Sequence, residues 1–344
     1  MRAAVITEHG ELDVIQVVED LPMPEPGPGQ VRLKMKAAAL NRLDLFVRRG
    51  WPGLKLDFPH VIGSDGAGVV DALGPGVAGF APGDPVSVDP SIYPDEEPEG
   101  DYENQSRNLA IMGEHHSGFA AEYVVVPARN LHRMPDGFSF QEAAAASLVG
   151  VTAWHSLITR GNLRAGETVL IVGAGGGVNS MSIQIAKLSG AQVIAIGSDA
   201  DKCQLATDLG ADQVINRQEE PNWSKAVYLM TNKRGVDVVV DNVGAASLNS
   251  SIRCARVGGR ILIVGGTTGY PVEINLAQVF SRQISLIGST MGPHRDYMRV
   301  MDRVFAGELK AVVGKVFPLS AARDAQATLE DFDVFGKVVI DLER

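Results

Sequence analysis

The chain has 344 residues, enough for two domains with cores of their own. It is 45% apolar and 21% charged, as a soluble globular protein is, and its formal charge of -10 disfavours nucleic acid, which needs a basic face. No apolar run approaches the roughly twenty residues of a membrane span, and the apolar part of MRAAVITEHGE is too short for a signal peptide, so a cytoplasmic protein is expected.

Residues 1 to about 150 read as β-rich. Met1 to Thr7 and Val31 to Ala39 are strand candidates, separated by a proline-studded connector from Pro22 to Pro28. Asn41 to Arg49 turns helical, with Leu43, Phe46 and Val47 on one face, and Asn41 stands where a helix cap is favoured. Glycine and valine then alternate with turn signals from Val61 to Gly83, suggesting a small barrel-like domain. Asp89 to Asn108 breaks the pattern with Asp95, Glu96, Glu97, Glu99, Asp101 and Glu103 among prolines, and reads as a solvated surface loop rather than a cation site. A strand from Ala120 to Val126 and an alanine-rich helix from Gln141 to Thr159 follow.

From Glu167 the pattern alternates strand and helix. The apolar run Val169–Val172 has the character of a strand buried on both faces. Gly173, Ala174, Gly176, Gly177 and Val178 form a glycine turn, and Val178, Met181, Ile185 and Leu188 continue it as a helix. Val193–Ile196 is the next strand. Such a unit binds a dinucleotide, whose pyrophosphate sits on the open N–H groups at the helix start. The third position of a strict GxGxxG is Val178, and the alternative frame ends in Asn179. Strands are expected at 168–173, 192–197, 212–216, 236–241, 259–264 and 284–288, with helices at 177–189, 200–209, 222–231 and 246–255, which makes a doubly wound parallel sheet. A helix from Asp296 to Phe305 and a last strand from Gly336 to Asp341 close the chain. Cys203 and Cys254 lie in separate helical patterns and read as small buried hydrophobes.

PxPxPGPGQV at 22–31, AAALNRLDLFVRRG at 37–50, GSDGAGVV at 63–70, GFAAEYVVVP at 118–127, AAAASLVGVTAW at 143–154, the glycine turn, GAD at 210–212, GGRILIVGG at 258–266 and GKVVI at 336–340 together resemble the medium-chain dehydrogenase/reductase superfamily. The resemblance implies a Rossmann domain inserted in a GroES-like, partly barrel-shaped catalytic domain, with the active site in a cleft. The domains would be 1–150 (catalytic), 151–290 (dinucleotide-binding) and 291–344 (returning to the catalytic domain).

Zinc-dependent members of that family place cysteine at Asn41 and a His-Glu pair at Ser64-Asp65. Without those ligands no catalytic zinc is expected, and the loop at 89–108 has no cysteine for a structural zinc. The pattern of Asn41 and Asp44 resembles the zinc-free quinone oxidoreductase-like branch. There Asn41 would lie near the nicotinamide or substrate carbonyl and Asp44 would hold the local hydrogen bonds. Asp65, between glycines, reads as a turn residue. His60, His115 and His116 are the material for any other metal site.

The second strand of the dinucleotide unit ends at Gly197, where NAD enzymes carry an acid. The glycine leaves room for a 2′-phosphate, Ser198 could donate to it, and Lys202 or Arg217 could neutralise it. Lys202 is equally readable as a plain exposed helix lysine, and Asp199 could still accept from the ribose. NADP is expected in preference to NAD. By position Thr152, Asn242, Val243, Val264, Gly265, Gly266, Ser289, Thr290, Met291 and Lys337 complete the cofactor set. The expected reaction is hydride transfer to a quinone or α,β-unsaturated carbonyl, the oxygen polarised by Asn41, Thr152 or a backbone N–H. The rivals are an alcohol dehydrogenase with a metal site rebuilt from Asp44, Asp65 and a histidine, and a nicotinamide-binding protein without turnover. A homodimer or homotetramer is implied by the resemblance, with 266–280 and 291–305 at the contact. Trp51, Phe58, Tyr93 and Phe280 are candidates for a substrate pocket.

Overall fold

The computed structural model describes residues 1–93, 103–331 and 334–343. The acidic residues Asp95, Glu96, Glu97, Glu99 and Asp101 of the expected surface loop lie outside them. The chain divides into two compact units, one formed by Met1–Val149 with Pro293–Arg344, the other by Gly150–Gly292. Each has its own apolar core.

The first unit is organised around the strand Gln30–Leu40, whose 11 residues carry neighbours on both sides. Asp65–Leu73 pairs with it antiparallel, as does Lys337–Asp341 near the chain's end. Tyr123–Pro127 covers its first half. The last strand thus enters a sheet laid down by the first forty residues, and a further strand, Val313–Pro318, pairs with it in parallel. That strand and the helix Ala322–Glu330 were not anticipated.

The second unit holds six parallel strands in the order Gln213–Asn216, Gln192–Gly197, Thr168–Val172, Val236–Asp241, Ala255–Ile263, Ser285–Gly288. Its central strands are rich in valine and isoleucine because helices cover both faces; Val236–Asp241 is buried at every residue. The order reverses at Thr168–Val172, so the carboxyl ends of that strand and its neighbours form the crevice in which ligands of such sheets bind. The alanine-rich helix runs from Phe140 to Trp154 and continues as a π-helical segment, His155–Arg160. Both cysteines are free and buried, and burial pushes the Cys254 thiol up to about 12. Among the described residues no helix is long and apolar enough to cross a membrane.

Candidate functional site

Register alone gathers a polar cluster in the first unit. Ala39 faces Asp65 on one side of the Gln30–Leu40 strand, and Leu40 faces Val338 on the other. The chain leaves this strand through Asn41, which caps the helix Arg42–Arg49 in an extended conformation. Asn41, Asp65 and Lys337 therefore meet at one strand end, all buried.

The cluster is closely bonded. The Lys337 ammonium donates to the Asn41 amide oxygen and to Asp65 Oδ2, the latter at 2.7 Å. Asn41 Nδ2 donates to Asp65 Oδ2 at 2.8 Å and to Ser64 Oγ at 2.9 Å. Ser64 Oγ donates to Asp44 Oδ2 at 2.9 Å, and Asp44 also accepts from the Asn41 and Gly63 backbone N–H groups. Leu148 N–H donates to the remaining oxygen of Asp65 at 2.6 Å. Burial pushes the Asp44 carboxyl up to about 6, against the pull of its hydrogen bonds and of Lys337.

Three readings change. Asp44 holds the local network as expected. Asn41, however, has both amide hydrogens committed to Ser64 and Asp65, so it is a strut of the cluster, with no N–H left over for an acceptor. Asp65 is no mere turn residue: it opens the Asp65–Leu73 strand and is the ammonium's counter-ion. Lys337, placed with the cofactor residues on sequence, belongs to this cluster instead, because strand pairing rather than sequence position decides its neighbours.

The donor set does not suit zinc. It offers one amide oxygen, one hydroxyl, the Asp65 carboxylate already paired with an internal ammonium and the Asp44 carboxylate already accepting from two backbone N–H groups and Ser64, where zinc takes thiolates, imidazoles or free carboxylates. Among the described residues no three His, Cys, Asp or Glu side chains are placed to hold a metal. His60 Nε2 is instead 3.3 Å from the Gly113 carbonyl, and His115 Nδ1 lies 3.3 Å from the Ile111 N–H. Of the four aromatic candidates, Tyr93 is buried against Asp89 and Phe280 is 72% exposed, while Trp51 and Phe58 are partly open.

In the second unit the glycine turn joins the Thr168–Val172 strand to the helix Gly177–Leu188. Gly173 has φ +92°, a conformation that favours glycine, and its N–H and that of Ala174 bind the Ile196 carbonyl. Gly176 caps the helix, and the space a Cβ would fill there is open. The first amides of this helix have no acceptor within it. Asn179 proves to be the turn's brace. Its amide nitrogen donates to the Val172 and Gly173 carbonyls, and its oxygen accepts from Asn242 Nδ2 at 2.8 Å. The sequence marked Asn179 only as a departure from a glycine pattern.

The loops after the fourth and fifth strands interlock. Val264, Thr267 and Thr268 N–H groups bind the carbonyls of Asp241, Asn242 and Val243, and Gly244, at φ +83°, sits against the Gly266 backbone. Asp241, overlooked on sequence, anchors this edge by accepting from the Val243 and Gly244 N–H groups and the Ser247 and Ser251 hydroxyls. Thr152 Oγ1 lies 3.9 Å from Met291 Sδ, and Met291 adopts φ +48°. Among the described residues the Asn242 amide oxygen and the Ser289 hydroxyl are buried without a partner. Two orphaned polar atoms and an open glycine cradle at the carboxyl edge of the sheet suit a dinucleotide.

At the end of the second strand, Cys203 fills the space beside Gly197: a Cβ there would meet its sulfur at 2.5 Å. The glycine serves helix packing rather than making room for a phosphate. Asp199 caps the helix Ala200–Asp208 through the Lys202 N–H and also accepts from Ser198 Oγ. The Lys202 ammonium stands 2.9 Å from Asp199, and its stem lies beside Gly175 of the glycine turn. Arg217 follows the third strand, its N–H on the Gly197 carbonyl.

Two family models match the chain: an alcohol dehydrogenase GroES-like domain over residues 27–136 and a zinc-binding dehydrogenase domain over 177–306. A solved NAD-dependent alcohol dehydrogenase is 45% identical, with a TM-score of 0.95 over 99% of this chain and 100% of its own. A zinc-type alcohol dehydrogenase-like protein of Schizosaccharomyces pombe is 33% identical over 92% of both chains. Quinone oxidoreductase of Homo sapiens is 27% identical over 96% of this chain and 94% of its own.

Proposed function

Because the chain belongs to the medium-chain dehydrogenase/reductase superfamily, whose members matched here are oxidoreductases, we propose that it reduces quinones or α,β-unsaturated carbonyls with NADPH and without catalytic zinc. The observation that carries this reading is the Lys337–Asn41–Asp65 cluster, which puts an ammonium where a metal-dependent enzyme needs free ligands.

When bound, the nicotinamide supplies a hydride. The residues that would hold it are the glycine turn from Gly173 to Val178, Asn242, Val243, Val264, Gly265 and Gly266, with Thr152, Ser289, Thr290 and Met291 completing the set. Lys202 and Ser198 would take the 2′-phosphate. Both Asp199 oxygens are engaged by the helix cap, Ser198 and Lys202, which leaves the carboxylate poorly placed to serve a ribose diol. An ammonium carries three donors, and Lys337 directs two of them into the cluster. Its third N–H, rather than Asn41, would polarise the acceptor oxygen, a preorganised donor of the kind that stabilises developing negative charge. A hydroquinone or enolate is delocalised enough to take its last proton from water.

The test is steady-state turnover of NADPH and NADH with 1,4-benzoquinone and a panel of enones, with and without chelator. Chelator-resistant turnover favouring NADPH is expected, and rates equal to the buffer blank would end the proposal. The 45% identical alcohol dehydrogenase favours a second reading, oxidation of an alcohol with NAD. Alcohol-dependent NAD reduction in the same assay would select it. The edge strand Ser285–Gly288 and the exposed Tyr270, Leu276 and Phe280 would join two copies of the chain.

A further inference from the structure

Two adjacent glycines of the turn, Gly175 and Gly176, differ in what lies where a side chain would begin. At Gly176 that space is open, as the cradle of a pyrophosphate requires. At Gly175 it is filled by Lys202, since a Cβ there would meet Cδ, Cγ and Cε of the lysine at 2.7, 2.9 and 3.0 Å. Carbon atoms in contact stand about 3.5–4.0 Å apart, so the stem occupies the place that the missing side chain leaves. The next residue of the same helix repeats the arrangement, Cys203 filling the space beside Gly197. The start of the helix Ala200–Asp208 is thus lodged between a glycine of the turn and a glycine at the end of the second strand.

Lysine is a costly residue to lodge there. Lys202 stands in the first turn of its helix, where a positive charge opposes the helix dipole. Its side chain is only 20% exposed, although a lysine ordinarily keeps its ammonium in water. The stem is laid along Gly175 and the ammonium is held 2.9 Å from Asp199. Gly175, unlike Gly173, has no positive φ. Its backbone does not call for glycine; the lysine stem does.

We infer that Gly175 is a specificity-determining position for the cofactor: it is the slot that seats the Lys202 stem, and a side chain there displaces the ammonium and selectively weakens binding of a dinucleotide that carries a 2′-phosphate. The inference rests on the assignment of Lys202 to that phosphate and adds the residue that positions it. Gly175 acts through the lysine and touches no reacting atom. The missing Cβ of Gly175 aims at the lysine stem while that of Gly176 faces open space, so a methyl at 175 spares the pyrophosphate cradle. NADH, which has no 2′-phosphate, should not register the change.

The experiment is fluorescence titration of full-length wild type, Gly175→Ala, Lys202→Ala and the double variant with NADPH and NADH. Gly175→Ala is expected to weaken NADPH by roughly 3- to 10-fold, at most the loss caused by Lys202→Ala, and to leave NADH within about twofold. In the double variant Gly175→Ala should add nothing to Lys202→Ala, because two changes that act through one contact are not additive. A second readout needs no cofactor. Lysines are acetylated with acetic anhydride and the sites are followed by mass spectrometry. Lys202 should react several-fold faster in Gly175→Ala than in wild type, with the other lysines unchanged. An unaltered ratio of NADPH to NADH affinity in Gly175→Ala would overturn the inference, as would losses that are equal for the two cofactors or that add in the double variant. So would acetylation of Lys202 at the wild-type rate. A wild type that binds NADH more tightly than NADPH would end the NADPH reading alone, since the inference is judged by the change in ratio and by acetylation.

Discussion

Asp199 and Lys202 illustrate how one ion pair can set cofactor choice. The carboxylate is partly engaged by its own helix, and although burial works to raise its pKa, the Lys202 N–H and ammonium and the Ser198 hydroxyl hold it below the usual range. A 2′-phosphate arriving beside Lys202 would gain a cation at the price of loosening that pair. Lys202→Ala should therefore weaken NADPH binding by roughly tenfold, about 1.4 kcal/mol, with NADH nearly unchanged. Fluorescence titration with both cofactors checks this, and equal losses would mean that the lysine acts through the helix cap instead. A second residue-scale effect concerns Glu114, whose carboxyl is pushed up to about 7, first by burial and then by the nearby Asp44 charge. A carboxyl with a raised folded-state pKa binds protons more tightly in the native state. It therefore withdraws stability as pH rises from its unfolded value, near 4.3, through about 7. His60, His115 and His116 oppose it, since burial holds each below the usual imidazole value and they withdraw stability as pH falls. Comparison with Glu114→Gln isolates the carboxyl. Between pH 5 and 8 wild type should lose roughly 2–3 kcal/mol more than the variant in urea unfolding, and parallel curves would refute it.

At the scale of elements, the glycine turn separates two uses of glycine. Gly173 needs its residue type for φ +92°, whereas Gly176 has an ordinary φ of -86° and open space in front of it. Gly173→Ala should cost roughly 1–2 kcal/mol of stability. Gly176→Val should leave the melting temperature nearly unchanged and weaken nicotinamide binding by ~10-fold or more, because its side chain enters the space where backbone must approach the pyrophosphate. A Gly176→Val protein that binds cofactor normally would remove the turn from the site. The same contrast explains what could be read in advance. Runs such as Val169–Val172 and Val193–Ile196 announce buried strands because both faces of the sheet are covered. Val313–Pro318 escaped notice because it is largely exposed and carries Gly314 and Lys315. The helix Ala322–Glu330 has no side-chain cap and only a short stripe of alanines and Leu329. That Asn41 and Asp44 belong to one local hydrogen-bonded cluster was legible, because they lie three positions apart at a helix start. The partnership of Lys337 with Asn41 was not, because it spans 296 positions and arises from strand register. Local periodicity carries no record of such a contact.

For the whole molecule, the question is whether a single chain is the working unit. Among the described residues the six-stranded sheet ends in Ser285–Gly288, paired with another strand on one side only. Close by in sequence, Tyr270, Leu276 and Phe280 expose 73%, 66% and 72% of their surface, well beyond the scattered apolar residues of an ordinary exterior. An unpaired strand edge invites further pairing unless charge, bulge or proline blunts it. Here the edge sequence SLIG has none of these. A second copy related by twofold symmetry would extend both sheets and cover both sets of side chains at once, which a self-complementary interface requires. Leu276→Asp with Phe280→Asp would place charge at the middle of that surface without entering either core, since both residues are outside them. Sedimentation velocity should show wild type as a dimer or larger and the double variant as a monomer of 36.6 kDa, with its circular dichroism unchanged. A wild-type protein that sediments as a monomer at tens of micromolar would show that this edge is left unpaired in solution.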